Sequence, residues 1–114
     1  MKKILRPMKK IDHKRWKLVE KTARRYAKAF GLRLRRVRPM GTKYAGLCEE
    51  DGTIYVSLRD SDGLRQSYFV LDTIAHELAH LAHFNHRTHW VSLFAKILTR
   101  MAEKKEFDKF RRKW

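Results

Sequence analysis

The sequence predicts an α+β fold: one small domain with a sheet of about three strands, antiparallel or mixed, packed on three helices. Three observations predict it. Apolar residues recur at helical spacing over residues 16–30, 71–82 and 90–101. Between the first two of these stretches lie three short β-prone runs, at 32–38, 44–49 and 53–58, parted by Pro39-Met40-Gly41 and by Glu50-Asp51-Gly52. A chain of 114 residues with 43% apolar content can fill one modest core. The expected boundaries are a basic arm over 1–11, a folded body over 12–106 and a basic, aromatic tail over 107–114.

The arm is interrupted by Pro7. Asp12 is a candidate N-cap for a helix whose apolar face is Trp16, Val19, Ala23, Tyr26, Ala27 and Phe30, and Gly31 supplies its stop. Lys14, Lys17, Lys21, Arg24, Arg25 and Lys28 fall on its other faces, as a solvated surface or as one that tracks phosphates; the positive bias continuing beyond the helix favours the second. The first strand, Leu32–Arg38, carries Arg33, Arg35, Arg36 and Arg38. Tyr44–Glu49 and Thr53–Leu58 form a hairpin, because Asp51-Gly52 suits a tight turn. Arg59–Gln66 is polar, and Asp62-Gly63 marks a loop there.

The next helix carries the chemistry. It begins near Ser67, packs through Leu71, Ile74, Ala75, Leu78, Leu81 and Ala82, and contains His76-Glu77-Leu78-Ala79-His80, an HExxH motif. Four residues advance a helix by roughly 400°, so His76 and His80 project from nearly one face and can grip a single metal ion. Glu77 lies about 100° round the helix, where a carboxylate can take a proton from an attacking water and pass it to a leaving amine. Asn85 tolerates the left-handed conformation that ends helices, and such a turn brings His86 back over the metal as third ligand. His83, His89 and Glu103 are the alternatives for that position, and His83 can otherwise line the cleft as a hydrogen-bond donor. Asp72, one turn before His76, either accepts the second ring proton of His76 or simply favours the helix start. Thr88 caps a last helix, from about His89 to Lys104, buried through Trp90, Leu93, Phe94, Ile97, Leu98 and Met101. In the tail, Phe107, Phe110 and Trp114 alternate with Lys109, Arg111, Arg112 and Lys113, a mixture suited to stacking on unpaired bases or to a frayed basic end.

The run from Leu71 to His80, followed by His86 and then Trp90, resembles the WLM family of zinc metallopeptidases and the related SprT (Spartan) proteases. The resemblance covers residues 53–98 and is strongest over 71–90. It implies a minimal zincin-like domain with one catalytic Zn²⁺, with His76, His80 and His86 as ligands and Glu77 as general base. It also implies a role on DNA, since several members degrade proteins crosslinked to it. In zincin-like folds a strand beside the cleft holds extended substrate, and Thr53, Ile54, Tyr55, Val56 and Ser57 are the candidate for it. The ligand spacing matches the metzincins too, but the glycine that those enzymes carry three residues after the second histidine is His83 here.

The charge is the compositional outlier: 28 Lys and Arg against 12 Asp and Glu give +16. Such an excess repels itself in a compact chain and calls for an acidic partner, with nucleic acid first and DNA favoured over RNA. Arg33, Arg35, Arg36, Arg38, Arg111, Arg112, Lys113 and Trp114 are the candidate contacts. Cys48 is the single cysteine, which excludes an internal disulfide and a cysteine metal cluster, and suggests a small hydrophobe buried in a strand. The expected setting is intracellular, cytoplasmic or near nuclear or nucleoid DNA. The N-terminus lacks the apolar run of a secretory signal, and no stretch reaches the length of a membrane span. Two functions follow: a DNA-associated zinc endopeptidase, or a basic DNA- or RNA-binding module whose metal site is structural or vestigial. Glu77 discriminates, because a purely structural site has no use for a base.

Overall fold

The structure is a computed structural model that describes residues 10–114; the expected basic arm lies outside the described residues over 1–9. Helix α1 (Lys10–Ala29) buries Val19, Ala23, Tyr26 and Ala27 and exposes Lys14, Lys17, Lys21 and Lys28, as their spacing dictates. Asp12 does not cap it. The residue lies inside the first turn, where its carboxylate accepts hydrogen bonds from Arg15 (3.0 Å) and from Arg59 Nε and Nη2 (2.8 and 3.0 Å). The helix ends through Gly31, whose φ of 64° only glycine adopts freely, with the Leu32 amide bonded to the Ala27 carbonyl.

The first strand, β1 (Arg36–Pro39), is shorter than expected, since residues 32–35 lie outside the ladder and the Leu34 amide turns back onto the Leu32 carbonyl at 3.1 Å. Strands β2 (Gly46–Cys48) and β3 (Thr53–Val56) form the expected hairpin. Asp51 starts its turn by accepting the Thr53 amide at 2.9 Å, and Gly52 takes a φ of 92°. The strand order is β1-β3-β2, with β1 parallel and β2 antiparallel to β3. This placement overturns one expectation. The segment Thr53–Ser57 sits in the centre of the sheet with both sides hydrogen-bonded, so it cannot pair with a substrate. The polar stretch that follows is not a plain loop: β4 (Arg59–Asp60) and β5 (Gly63–Leu64) pair around Ser61-Asp62.

Helix α2 (Ser67–His80) is buried on most of its circumference. Val70, Leu71, Ile74, Ala75 and Leu78 are fully enclosed by the sheet, by α1 and by two further helices. Each of those larger side chains contributes about 1.5–3 kcal/mol on burial, which makes α2 the axis of the core. Helix α3 (Thr88–Glu103) closes over it with Trp90, Ile97 and Met101, so Met101 is core. The segment expected as a free tail is a helix, α4 (Glu106–Lys113), entered through Lys105 at a φ of 56°. Phe110 is fully buried, and Glu106 accepts hydrogen bonds from Arg25 and from the Tyr26 hydroxyl, tying α4 to α1. Among the described residues no helix is long and apolar enough to cross a membrane.

Candidate metal centre

Helix α2 stops at His80, earlier than its apolar pattern suggests, and two turn residues lead the chain out. The reversal is not made by a left-handed asparagine. Lys105 is the only non-glycine residue with positive φ among the described residues. The Asn85 side chain instead accepts the Arg87 amide at 3.1 Å, a local turn that returns His86 towards α2. Three imidazoles then converge. Nε2 of His80 lies 3.2 Å from Nε2 of His76 and 2.9 Å from that of His86, and the remaining pair is 3.3 Å apart.

Convergence of three ring nitrogens is unfavourable unless a cation joins them. Burial, and then the charges of His80 and His86, hold His76 down to about 4, and burial likewise lowers His80. Both rings are therefore neutral near pH 7 and present lone pairs. A tetrahedral ion with bonds near 2.05 Å needs its ligand nitrogens about 3.3 Å apart, so these residues fit a zinc-sized ion. His83 and His89 stack on each other at 5.5 Å, and the metal-competent group found among the described residues contains neither of them, nor Asp72 or Glu103.

Asp72 takes neither of the two parts open to it, for it lies beyond the first turn of α2 and does not orient the rings. Asp72 makes no hydrogen bond to His76 among the described residues, and half-burial raises its carboxyl above the usual range. The main-chain carbonyl of His83 accepts instead from Nδ1 of His80 at 2.9 Å, which fixes the tautomer that leaves Nε2 free. Trp90, almost buried, packs beneath all three rings: edge-on to His76 and His86 at 4.8 and 4.6 Å, and stacked on His80 at 5.3 Å. Its position four residues after His86 is the sequence signal for this role.

Glu77 is 6% exposed and makes no side-chain ion pair or hydrogen bond among the described residues; since no fully enclosed side-chain oxygen there lacks a partner, its carboxylate oxygens reach the open side of the cleft. Burial alone pushes its carboxyl up to about 7. The edge strand β2 lies against it. A Cβ on Gly46 would come within 2.7 Å of the Thr73 methyl and 2.9 Å of Glu77 Oε2, so only glycine lets β2 approach so closely. An isolated glycine in a strand was the visible sign of such an approach. Ala45 and Glu49 bond to β3, so by alternation the main-chain groups of Gly46 and Cys48 point to the open edge. Cys48 is half-buried nearby. Burial, aided by Glu77, Asp51 and Glu49, pushes its thiol up to about 12 and keeps it inert.

The cationic candidates are dispersed. Arg33 and Arg36 are exposed and Arg38 half-buried at the β1 edge, Arg35 pairs with Asp51, and Arg111, Arg112 and Lys113 are exposed on α4. Trp114 is occupied: its indole N–H donates to the Arg65 carbonyl at 2.8 Å and its ring stacks on Phe110. Its N–H and that ring face are therefore taken up within the fold.

Residues 2–107 match the family model described as YgjP-like, metallopeptidase domain. Comparison with curated proteins gives no match. Among solved structures the chain is similar to a mutant of Wss1 from S. pombe, with a TM-score of 0.59 and 24% identity over 67% of this chain and 70% of that one, which is a likeness of fold. Both findings agree with the resemblance carried by residues 71–90.

Proposed function

Because the chain belongs to the YgjP-like metallopeptidase family, we propose that it is a zinc endopeptidase in which His76, His80 and His86 hold the ion and Glu77 is the general base. The observation that carries this reading is the meeting of three Nε2 atoms within 3.3 Å, next to a largely buried glutamate that pairs with no other side chain among the described residues. When bound, zinc supplies Lewis acidity towards the scissile carbonyl and makes water more acidic. The protein supplies the rest. Glu77, held near neutrality by its burial, accepts the proton of the attacking water and returns it to the departing amine. The His83 carbonyl and the Trp90 ring fix the imidazoles beforehand.

Substrate lies along β2. An extended peptide pairs with the outward main-chain groups of Gly46 and Cys48, which sets its carbonyl beside Glu77 with little regard to side chains. Such weak selectivity needs another source of targeting, and the net charge of +16 supplies one. The substrates on this reading are proteins bound or crosslinked to DNA, and the enzyme works inside the cell where protein meets nucleic acid.

The test uses the zinc-loaded chain with a DNA-binding protein as substrate, with and without DNA, and maps the products by mass spectrometry. The reading expects internal peptide-bond cleavage, abolished by chelation and faster with DNA. Intact substrate at full zinc occupancy would refute the peptidase; cleavage indifferent to DNA would refute the targeting.

A further inference from the structure

The exposed cations of α1 form a single row. At 100° per residue, Lys14, Lys17, Lys21, Arg24, Arg25 and Lys28 fall within an arc of about 100°, opposite the arc that carries Val19, Ala23 and Ala27 into the core. The row is about 21 Å long at 1.5 Å per residue, roughly the rise of six base pairs at 3.4 Å each.

Its neutralisation is incomplete. Among the described residues, Asp12 is enclosed by Arg15 and Arg59, Glu20 pairs with Arg24 and Glu106 with Arg25. Lys14, Lys17, Lys21 and Lys28 have no carboxylate within ion-pair reach there. The β1 arginines do not extend the row. Val37 turns towards the helices, so Arg36 and Arg38 point to the opposite face of the sheet, while Arg35 is paired with Asp51.

We infer that this ridge is the nucleic-acid docking surface, holding one phosphate backbone along α1 while leaving the peptide cleft open. It rests on the nucleic-acid part of the function proposed above and is independent of its chemistry. Helix α1 packs on β1, at one edge of the sheet, whereas Glu77 meets β2 at the other, two strand spacings or about 10 Å across. Nucleic acid on the ridge therefore tethers the enzyme beside its substrate without filling the site. A lipid surface fits less well. Membrane-binding helices insert their apolar face, and that of α1 is buried in the core. Among the described residues the large exposed hydrophobics, Tyr44, Leu47, Tyr68, Phe69, Phe84 and Val91, all lie elsewhere.

The experiment measures binding of a short labelled oligonucleotide to the full chain by fluorescence anisotropy, between about 50 and 200 mM salt. For Lys17→Ala/Lys21→Ala/Lys28→Ala the slope of log affinity against log salt falls by about 2–3, and Kd rises at least about tenfold. Arg33→Ala/Arg36→Ala/Arg38→Ala stays within about twofold of the parent chain, and thermal melting confirms that both variants fold. Cleavage of a free peptide without nucleic acid is unchanged in both; its absence throughout would count against the peptidase and not against the ridge. An unchanged slope in the lysine triple, a loss confined to the arginine triple, or parent protein that binds anionic vesicles and not the oligonucleotide would overturn the proposal.

Discussion

Two kinds of buried acidic residue surround α2. On the α1 side, Asp12 is held by Arg15 and Arg59, and Glu106 by Arg25 and the Tyr26 hydroxyl. On the β2 side, Glu77 is 6% exposed and meets no cation and no donor among the described residues, its carboxylate facing the cleft. Asp12 is driven below its usual range by its hydrogen bond to Arg59 and then by its charged neighbours; Glu77 is driven up to about 7 by burial. Pairing makes a carboxylate a fastener and removes it from chemistry. Leaving one unpaired costs stability and keeps it free for the proton transfer proposed above.

The largest effect expected short of removing that base comes from moving β2 away from it. Gly46→Ala forces a methyl against Thr73 and Glu77, and a shift of about 1 Å lowers peptide turnover about 100-fold while zinc stoichiometry stays at one. Thr73→Ser, added to it, removes the nearest contact and recovers part of the loss. Steady-state kinetics on the single and double variants checks this.

On the paired side the reverse holds. Glu106→Ala strands the buried Tyr26 hydroxyl and releases α4, costing about 1–3 kcal/mol in urea denaturation and leaving kcat unchanged. Asp12→Asn costs about 1–2 kcal/mol, because Arg59 is partly exposed and solvent offsets some of the loss. Its pH dependence has a definite sign. A carboxyl held lower in the folded than in the unfolded chain stabilises above the unfolded value, near 3.9, and this contribution disappears as pH falls through the folded one. Urea midpoints of the parent should therefore converge on those of Asp12→Asn below about pH 4. A constant gap would show that the pair is not what stabilises α1.

The smallest effect belongs to Trp90. Trp90→Phe keeps a ring beneath the histidines and loses the indole N–H directed at the His76 carbonyl at 3.4 Å. Zinc affinity in chelator competition falls about tenfold, at the low end for residues that support metal ligands.

Much of this was legible in the sequence, and what was not has physical causes. The helical spacing of Val19, Ala23 and Ala27, and of Leu71, Ile74 and Leu78, marked two helices whose faces are buried as the pattern requires. The histidines at 76 and 80 were readable because one helical turn fixes their relation. Strand order was not, since nothing local tells Thr53–Val56 that β1 will pair with its second edge, and so an edge position could not be denied to it. The spacing of Phe107, Phe110 and Trp114 was already that of a helix. Set among four cations it read equally well as a stacking tail, because periodicity over eight residues is short evidence. The carbonyl of His83 could not be seen at all, since a main-chain oxygen leaves no mark in residue identity.

The most direct test of the contrast is to neutralise Glu77 alone. Glu77→Gln, loaded with zinc, is compared with the parent chain for metal content, thermal stability and turnover of one peptide. Expected are one zinc in both, a melting temperature equal or higher in the variant, and turnover lower by about 10²–10⁴. Turnover within a few-fold of the parent at equal zinc would contradict Glu77 as the general base.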